Sequence, residues 1–149
     1  MAITKAGDLL YVVTMDRNSV TEINTRTNRR VREFKVEQLP FEVRLSQDEQ
    51  SLIVTNWGGR PMKDDDDFAG TGNTMIVVNE HGAAASGSVS VVNRKSGEKE
   101  TIPVGEHPTG IALQGETAYI ANAASDSISV LDIENRKQIK TLQIGRAHV

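Results

Sequence analysis

An internal repeat restricts the fold of this chain more than any other feature of its sequence. Three segments align, and each reads as an apolar strand, a turn, a second strand, a turn and a third strand. The first copy, LLYVVTMDRNSVTEINTRTNRRVREFKV, spans 9–36, and the last, TAYIANAASDSISVLDIENRKQIKTLQI, spans 117–144. The middle copy is split between SLIVTN (51–56) and GSVSVVNRKSGEKETIPV (87–104). The chain therefore carries three copies of one unit, of which the second is interrupted.

The spacing of apolar positions measures the interruption. Tyr11 and Val20 lie 9 residues apart, and the equivalent residues of the third copy have the same spacing. Ile53 and Val89 of the middle copy lie 36 residues apart, so this copy contains 27 extra residues. Without them, Tyr11 and Tyr119 are two repeats of about 40 residues apart.

A further short strand precedes each copy: AIT (2–4), FEVRLS (41–46) and TGIALQ (109–114). Four short strands in about 40 residues are typical of a β-propeller blade. No segment shows the 3.6-residue apolar period of an amphipathic helix. The sequence therefore predicts an all-β fold, a β-propeller fragment of about three four-stranded antiparallel blades.

The predicted blades span 1–40, 41–108 and 109–144, with the insertion between about 57 and 86. The second strand of each blade is almost continuously apolar, which predicts burial on both faces. The fourth strands are charged, as suits an exposed edge, apart from two apolar anchors each. The turns RTN, KSG and IENR should place Asn or Gly at positive φ, and Gly58 and Gly59 should do so at a strand exit.

The phrases LLYVVTMDRNSVTEIN, IPVGEHPTGIAL and AYIANAASDSISVLDI resemble the YVTN family of β-propeller repeats. The resemblance covers nearly the whole chain. The first copy departs from the family pattern, with Thr14 and Met15 where Asn is usual and with Glu22 inside its third strand. This resemblance independently implies the β-propeller fold that the repeat period predicts.

The middle copy is similar to a narrower group. TNWGGRP, a long insertion and SGSVSVVN resemble a subgroup in which a YVTN propeller precedes an alkaline-phosphatase-like phosphoesterase domain. This resemblance implies an exported bacterial protein, periplasmic or extracellular. It does not imply phosphoesterase activity for this chain, because such a domain needs a cluster of Asp and His metal ligands and a Ser or Thr nucleophile.

The resemblance also implies a larger parent protein. YVTN propellers usually close with seven blades, whereas three blades cannot close a ring and expose a blade face on both flanks. We therefore expect a truncated fragment whose partners include the remaining blades and a phosphoesterase domain. The terminal IGRAHV resembles the translation of a sequencing adapter, so we expect 145–149 not to be natural sequence; the alternative is an ordinary polar tail.

Composition excludes several functions. The chain has 149 residues and no cysteine, which rules out disulfides, thiolate metal sites and covalent haem attachment. A net charge of −3 opposes nucleic-acid binding, which needs a basic face. No apolar run approaches the roughly 18 residues of a membrane span. No motif predicts a cofactor, a metal site or a catalytic residue.

Blade topology places the candidate binding residues. Connections from second to third strand and from fourth strand to the next blade leave an up-and-down blade on the same face. Trp57, Arg60, the aspartate run and His107 should therefore share one face, with His107 nearest the central axis. Functional loops often sit on such a rigid scaffold. We expect an unknown ligand or protein to bind this insertion-bearing face.

Each candidate also has a structural interpretation. Trp57 could stack on a ligand or cover the base of the insertion, and His107 could contact a ligand or pack between repeats. Arg60 could meet an anionic ligand or pair with the aspartates of 64–67. That run lacks the alternation of a calcium loop and suits a solvated, mobile segment, as does the Ala/Gly-rich stretch around His81.

These observations predict a non-catalytic binding or scaffolding module. An alternative is the propeller part of a metal-dependent phosphoesterase whose catalytic domain lies elsewhere. A weaker alternative is nucleic-acid binding, which the acidic insertion opposes.

Overall fold

A computed structural model describes residues 1–71 and 74–145; most of the proposed tail, 146–149, lies outside the described residues. The described chain contains strands, turns and one 3-10 turn at Met15–Arg17. The strands are β1 (Ala2–Ile3), β2 (Leu9–Thr14), β3 (Ser19–Asn24), β4 (Arg29–Lys35), β5 (Gln38–Leu45), β6 (Ser51–Gly59), β7 (Phe68–Thr71), β8 (Thr74–Val77), β9 (Gly87–Asn93), β10 (Lys99–Val104), β11 (Pro108–Gln114), β12 (Thr117–Asn122), β13 (Ser127–Asp132) and β14 (Lys137–Gln143).

The strands form three four-stranded antiparallel sheets and one separate hairpin. The sheets have the orders β1-β2-β3-β4, β5-β6-β9-β10 and β11-β12-β13-β14, and β7 pairs only with β8. Each sheet is thus an up-and-down blade with its strands in chain order, and the hairpin lies within the insertion of the second blade. The predicted all-β fragment of a β-propeller, with three four-stranded blades, is confirmed.

The second blade has longer strands than the sequence pattern indicated. β5 begins at Gln38 rather than at Phe41, and β6 continues beyond Asn56 to Gly59. Gln38 pairs with Gly59 across irregularities in the ladder. The insertion therefore leaves the blade only after the two glycines have extended its second strand.

Burial on both faces explains the apolar second strand of the middle blade. Leu52 and Val54 pack against the first blade, whereas Ile53 packs against the third. Because successive side chains of a strand point to opposite faces, β6 serves two cores at once. The core between blades one and two contains Tyr11, Val20, Phe34, Val36, Val43, Leu52, Val54 and Val92. The core between blades two and three contains Ile53, Val89, Val91, Ile102, Ile111, Ala118, Ile120, Leu131 and Ile133.

A buried polar network crosses the interface between the first two blades. Tyr11 donates its hydroxyl hydrogen bond to Glu22 Oε2 over 2.7 Å, and both side chains are buried. Arg94 Nε, from the second blade, donates to Tyr11 Oη over 2.6 Å, and Arg94 Nη1 donates to the carbonyl oxygen of Glu49. Burial, followed by the hydrogen bond to Glu22, raises the pKa of Tyr11. Glu22, which departs from the repeat pattern, is therefore a structural residue.

The turns between third and fourth strands mostly follow the prediction. Asn28 and Gly97 adopt positive φ, at 55° and 77°. In the third blade the positive φ of 56° falls on Arg136 instead of Asn135. Asn135 is one position earlier in the turn, where its Nδ2 donates to Asp132 over 2.7 Å. The turn therefore keeps its geometry with a less usual residue at that position.

Among the described residues, no helix has the length and apolar character to cross a membrane.

Candidate functional site

Asn56, three residues before the end of β6, anchors the base of the insertion-bearing face. Asn56 Nδ2 donates to Ser88 Oγ over 3.1 Å and to Ser90 Oγ over 2.9 Å, and all three side chains are buried. One amide thus ties the end of β6 to two alternate residues of β9. Such a fully buried bridge fixes the strand ends from which the functional loops leave.

The third blade repeats this bridge and the first does not. Asn122 Nδ2 donates to Ser127 Oγ over 3.1 Å and to Ser129 Oγ over 2.9 Å. In the first blade Thr14 and Thr21 share one hydrogen bond between hydroxyls 3.2 Å apart. The sequence pattern showed only that the first copy lacks the usual Asn, and it did not indicate this role. The serine-x-serine pattern of the facing strand was the available signal.

Trp57 and His107 form a ring pair on this face. Trp57 lies in β6 and His107 lies in the connection from β10 to β11, where it adopts a φ of 56°. Their ring centroids are 4.1 Å apart with an angle of 37° between the planes. Burial lowers the pKa of His107, which favours the neutral imidazole. The structure therefore brings together two of the three predicted site residues.

One polar atom of this ring pair has no partner. Trp57 Nε1 is buried and makes no hydrogen bond to any described residue. Indole nitrogens in buried positions usually find an acceptor, because an unpaired donor costs free energy. The ring pair therefore has partly exposed aromatic surface, while its indole donor is buried and unpaired.

Trp57 also covers the insertion, as its structural interpretation proposed. The insertion has a small core made by Leu39, Ile76, Val78 and Ala84, and Met15, Trp57 and Ala69 pack against it. The hairpin β7–β8 supplies part of this core, although the sequence indicated no strands there. The signal that could have indicated them is the apolar run TMIVV at 74–78.

The two glycines at the strand exit have different roles. Gly59 has a φ of 67°, as predicted for both. The prediction is wrong for Gly58, which is not among the residues with positive φ. A Cβ atom at Gly58 would lie 2.7 Å from Ile76 Cγ2 and 2.9 Å from Gln38 Cβ. Gly58 is therefore needed for the close approach of the hairpin to β5.

Arg60 pairs with the aspartate run. Its Nη1 and Nη2 donate to Asp66 Oδ2 and Oδ1 over 2.6 and 2.7 Å, a bidentate arrangement. The Arg60 hydrogen bonds, and then that from the Lys63 amide, lower the pKa of Asp66 to about 2. Asp64, Asp65 and Asp67 are exposed. The acidic run is therefore solvated except for one carboxylate, which folds back on Arg60.

A cavity of about 380 Å³ lies beside Arg60. Ser86, Ser88 and Thr101 contribute polar groups to its lining, and Val104 contributes an apolar wall. Trp57 and His107 are not among its lining residues. The face therefore offers two neighbouring features, the ring pair and the Arg60 cavity, instead of one pocket with all three residues.

No group of three or more His, Asp or Glu side chains that could hold a metal ion occurs in the part of the chain that the structure describes. His81, the other histidine described, is exposed, and its Nε2 lies 3.4 Å from Oε1 of the adjacent Glu80.

The comparisons with known proteins support the fold. No protein-family model matches the chain, and no curated protein matches it. Among solved structures, the hydrazine synthase of Kuenenia stuttgartiensis aligns with 94% of this chain at 23% identity and a TM-score of 0.71. A 6-phosphogluconolactonase-like protein of Bacteroides uniformis aligns with 86% of the chain at 16% identity and a TM-score of 0.53.

Both neighbours have β-propeller-type folds, which places this chain in that structural class. The chain spans about a third of the length of each, 34% in both cases. At these identities the likeness concerns the fold alone.

Proposed function

We propose that this chain is a non-catalytic binding or scaffolding module, part of a larger exported, YVTN-type β-propeller protein. The observation that carries the proposal is the Trp57–His107 ring pair, which is partly exposed on the insertion-bearing face. Aromatic side chains with a polar group are favoured at binding surfaces because they combine apolar area with a directed hydrogen bond. Arg60, three residues along the chain from Trp57, adds a guanidinium group. This group could contact a ligand anion while it remains paired with Asp66.

The position of the ring pair supports binding over simple packing. Trp57 is anchored in a blade strand whose end is fixed by Asn56, and His107 is held between blades two and three. A site that needs little ordering on binding loses less conformational entropy. The face is therefore pre-organised for a ligand or protein partner.

Nuclear magnetic resonance tests this proposal with a defined fragment set of small carboxylates, inorganic phosphate and aromatic compounds. Trp57 is the only tryptophan, so its indole N–H gives one assignable signal. We expect the fragments that bind to shift the resonances of Trp57 and His107 before others. Binding should weaken in Trp57→Phe and Arg60→Gln, and should persist in the control Val31→Lys, an exposed residue of β4 in the first blade.

Bound fragments that collect on a different face, with the Trp57 signal unmoved, would show that this face is not the binding surface.

The non-catalytic part of the proposal has its own test. We expect no hydrolysis of p-nitrophenyl phosphate above background by the purified chain, with or without added zinc, magnesium or calcium. Turnover that follows the protein through purification and disappears with an Arg60→Gln substitution would make the chain an enzyme.

A second candidate is the propeller part of a phosphoesterase that carries its catalytic domain elsewhere in the parent. The TNWGGRP exit followed by a long insertion favours it. The complete coding sequence decides this point: a downstream domain with Asp and His metal ligands supports the candidate, and its absence removes it.

A further inference from the structure

A cleft with a basic lining lies between the first two blades, on the face opposite the insertion. The turns that join β5 to β6 and β9 to β10 border it, and its volume is about 280 Å³. We call it the basic cleft and define it by Glu22, Arg32, Glu49, Arg94 and Lys95. Both of its walls belong to blades that the structure describes, so its exposure does not depend on the limits of the chain.

Arg32 is held in the basic cleft by contacts within and across the blade interface. Its guanidinium carbon lies 4.2 Å from the centroid of the Phe34 ring. Its Nη1 donates to the carbonyl oxygen of Arg94, in the second blade, over 2.9 Å. A Cβ atom at Gly97 would lie 2.9 Å from Arg32 Nη2, so this glycine leaves room for the side chain. The guanidinium group is therefore fixed in position, while no described residue accepts a hydrogen bond from its Nε or Nη2.

The cations of the basic cleft have no carboxylate partners. In the part of the chain that the structure describes, neither Arg32, Arg94 nor Lys95 forms an ion pair. Arg94 donates instead to Tyr11 Oη and to the carbonyl oxygen of Glu49. Arg32 and Lys95 are therefore the two cations whose charge is available to a ligand.

The two carboxylates of the basic cleft have hydrogen-bond donors of their own. Glu22 accepts the hydroxyl hydrogen bond of Tyr11, and Glu49 Oε1 accepts the backbone amide of Lys5 over 2.5 Å. Because both carboxylates are engaged in the blade structure, they are not free to fold onto the available cations. The cleft therefore keeps an excess of positive charge.

The equivalent cleft between the second and third blades lacks all of these cations. Strand pairing makes Glu100 the counterpart of Arg32. The Ile-Glu pair at 133–134 occupies the place that Arg-Lys occupies at 94–95. This second cleft has a volume of about 310 Å³, and its charged lining residues are Asp48, Glu116, Glu134 and Arg136. The blade fold therefore does not require the cations of the basic cleft.

We propose that the basic cleft binds a phosphate group, either free phosphate or a small phosphate monoester. Such a group carries about −1.5 to −2 charges at neutral pH, which matches the available charges of Arg32 and Lys95. The free Nε and Nη2 of Arg32 suit two oxygens of the anion, and the Lys95 ammonium adds a point charge. The volume is near the lower limit of small-molecule sites, about 300 Å³, which favours a small ligand. This inference is independent of the insertion-bearing face.

Nuclear magnetic resonance titration of the 149-residue chain at low ionic strength tests the proposal. The probes are inorganic phosphate and glycerol 3-phosphate, with acetate as a singly charged comparison. We expect saturable shifts of the Arg32 Nε–H and of the Lys95 backbone amide with both phosphates, and much weaker shifts with acetate. The phosphate that binds more tightly shows whether the ligand is free phosphate or an ester.

Three substitutions separate the roles of the two cations. Arg32→Gln should weaken phosphate binding by about tenfold, because it removes a charge-assisted, bidentate contact. Arg32→Lys keeps the charge but not the planar group, so the loss should be smaller. Lys95→Gln should weaken binding by about threefold, because this exposed ammonium contributes less. The matched control is Arg30→Gln, since Arg30 is an exposed arginine of the same strand that does not line the cleft.

Folding of each variant is checked by circular dichroism and by Trp57 emission. Because Lys95 is exposed, its substitution should leave the blades intact even if a change at Arg32 disturbs them. The proposal is overturned if phosphate does not saturate the chain by about 10 mM, or if acetate binds as tightly as phosphate. It is also overturned if Arg30→Gln weakens binding as much as the folded cleft variants do.

The two binding proposals fail separately. Phosphate in the basic cleft should leave the indole signal of Trp57 unmoved, so the carboxylate and aromatic fragments decide whether the insertion-bearing face binds a ligand. Phosphate that shifts Trp57 and His107 but not Arg32 and Lys95 would overturn the basic cleft as a phosphate site and support the insertion-bearing face.

Discussion

The two interfaces between neighbouring blades place different chemistry at the same three positions. Between the first two blades these positions hold Tyr11, Glu22 and Arg94, joined by hydrogen bonds. Between the second and third blades the equivalent positions hold Ile53, Val91 and Ile133, all within one apolar core.

The difference teaches that blade packing does not depend on one kind of contact. A buried polar set needs all of its hydrogen-bond partners, because a carboxylate left unpaired in this position lowers the free energy of unfolding by several kcal/mol. An apolar set has no such requirement and tolerates small changes in geometry. The first interface is therefore expected to be more specific in its pairing and more sensitive to a single substitution.

The largest expected effect comes from breaking the polar set. Arg94→Met should lower the free energy of unfolding by about 3 kcal/mol, because it removes the cation nearest the buried Tyr11–Glu22 pair. Urea denaturation followed by circular dichroism measures this. The triple variant Tyr11→Ile, Glu22→Val and Arg94→Ile copies the apolar set and should unfold within about 1 kcal/mol of the unmodified chain.

If Arg94→Met and the triple variant lose the same stability, the network is not the cause, and loss of packing volume explains both.

The next largest loss of stability should come from the asparagine–serine bridge, which occurs in both the second and the third blade. Asn56→Ala and Asn122→Ala should each cost about 2 kcal/mol, since each leaves two buried serine hydroxyls without their shared donor. Thr14→Ala, in the blade that lacks the amide bridge, should cost less. Thermal unfolding of the three variants measures the ranking, and equal losses at all three positions would contradict it.

Alkaline pH should distinguish the interfaces further. The pKa of Tyr11 is raised above the ordinary value of 10.0, so its contribution to stability is complete below about pH 10 and is lost as pH rises further. The loss should approach about 1.4 kcal/mol per pH unit. In a Tyr119→Phe background Tyr11 is the only tyrosine, and its tyrosinate absorbance should appear together with unfolding. Ionisation of Tyr11 at a lower pH than unfolding would show that Tyr11 is not buried between the first two blades.

The smallest effect should come from His107 at the connection into the third blade. Its pKa is lowered from the ordinary 6.5 by burial, so stability is present above about pH 6.5 and declines as pH falls through the folded value. Trp57 emission should change over the same range. His107→Asn suits the positive φ and should abolish this dependence, whereas His81→Gln should leave it in place.

The blades could be predicted because their signals are local. The pattern of Val89 and Val91 between serines, beside the continuous run at 51–54, indicates strand position without knowledge of any distant contact. The polar network could not be predicted in this way. Tyr11 and Arg94 are 83 residues apart in sequence, and neither side chain carries a local signal of its partner.

The sequence predicted which face of the fold carries the candidate site residues, but not the contacts that they make there. Strand topology alone placed Trp57 and His107 at the same end of the fold. Their ring contact and the separate Arg60–Asp66 pair depend on how the hairpin packs against Leu39, which the sequence did not indicate. Side-chain packing of an insertion is a tertiary effect that local propensity does not encode.

The second blade should tolerate replacement of its inserted segment. Asn56 pairs directly with Ser88, as it would across a short turn, so the ladder between β6 and β9 needs no residue of the segment between them. Lengthening a loop adds little closure entropy, and a segment of different length and content could occupy the same two attachment points. Leu39 is the residue that such an exchange would uncover, and a grafted segment needs one apolar side chain to cover it.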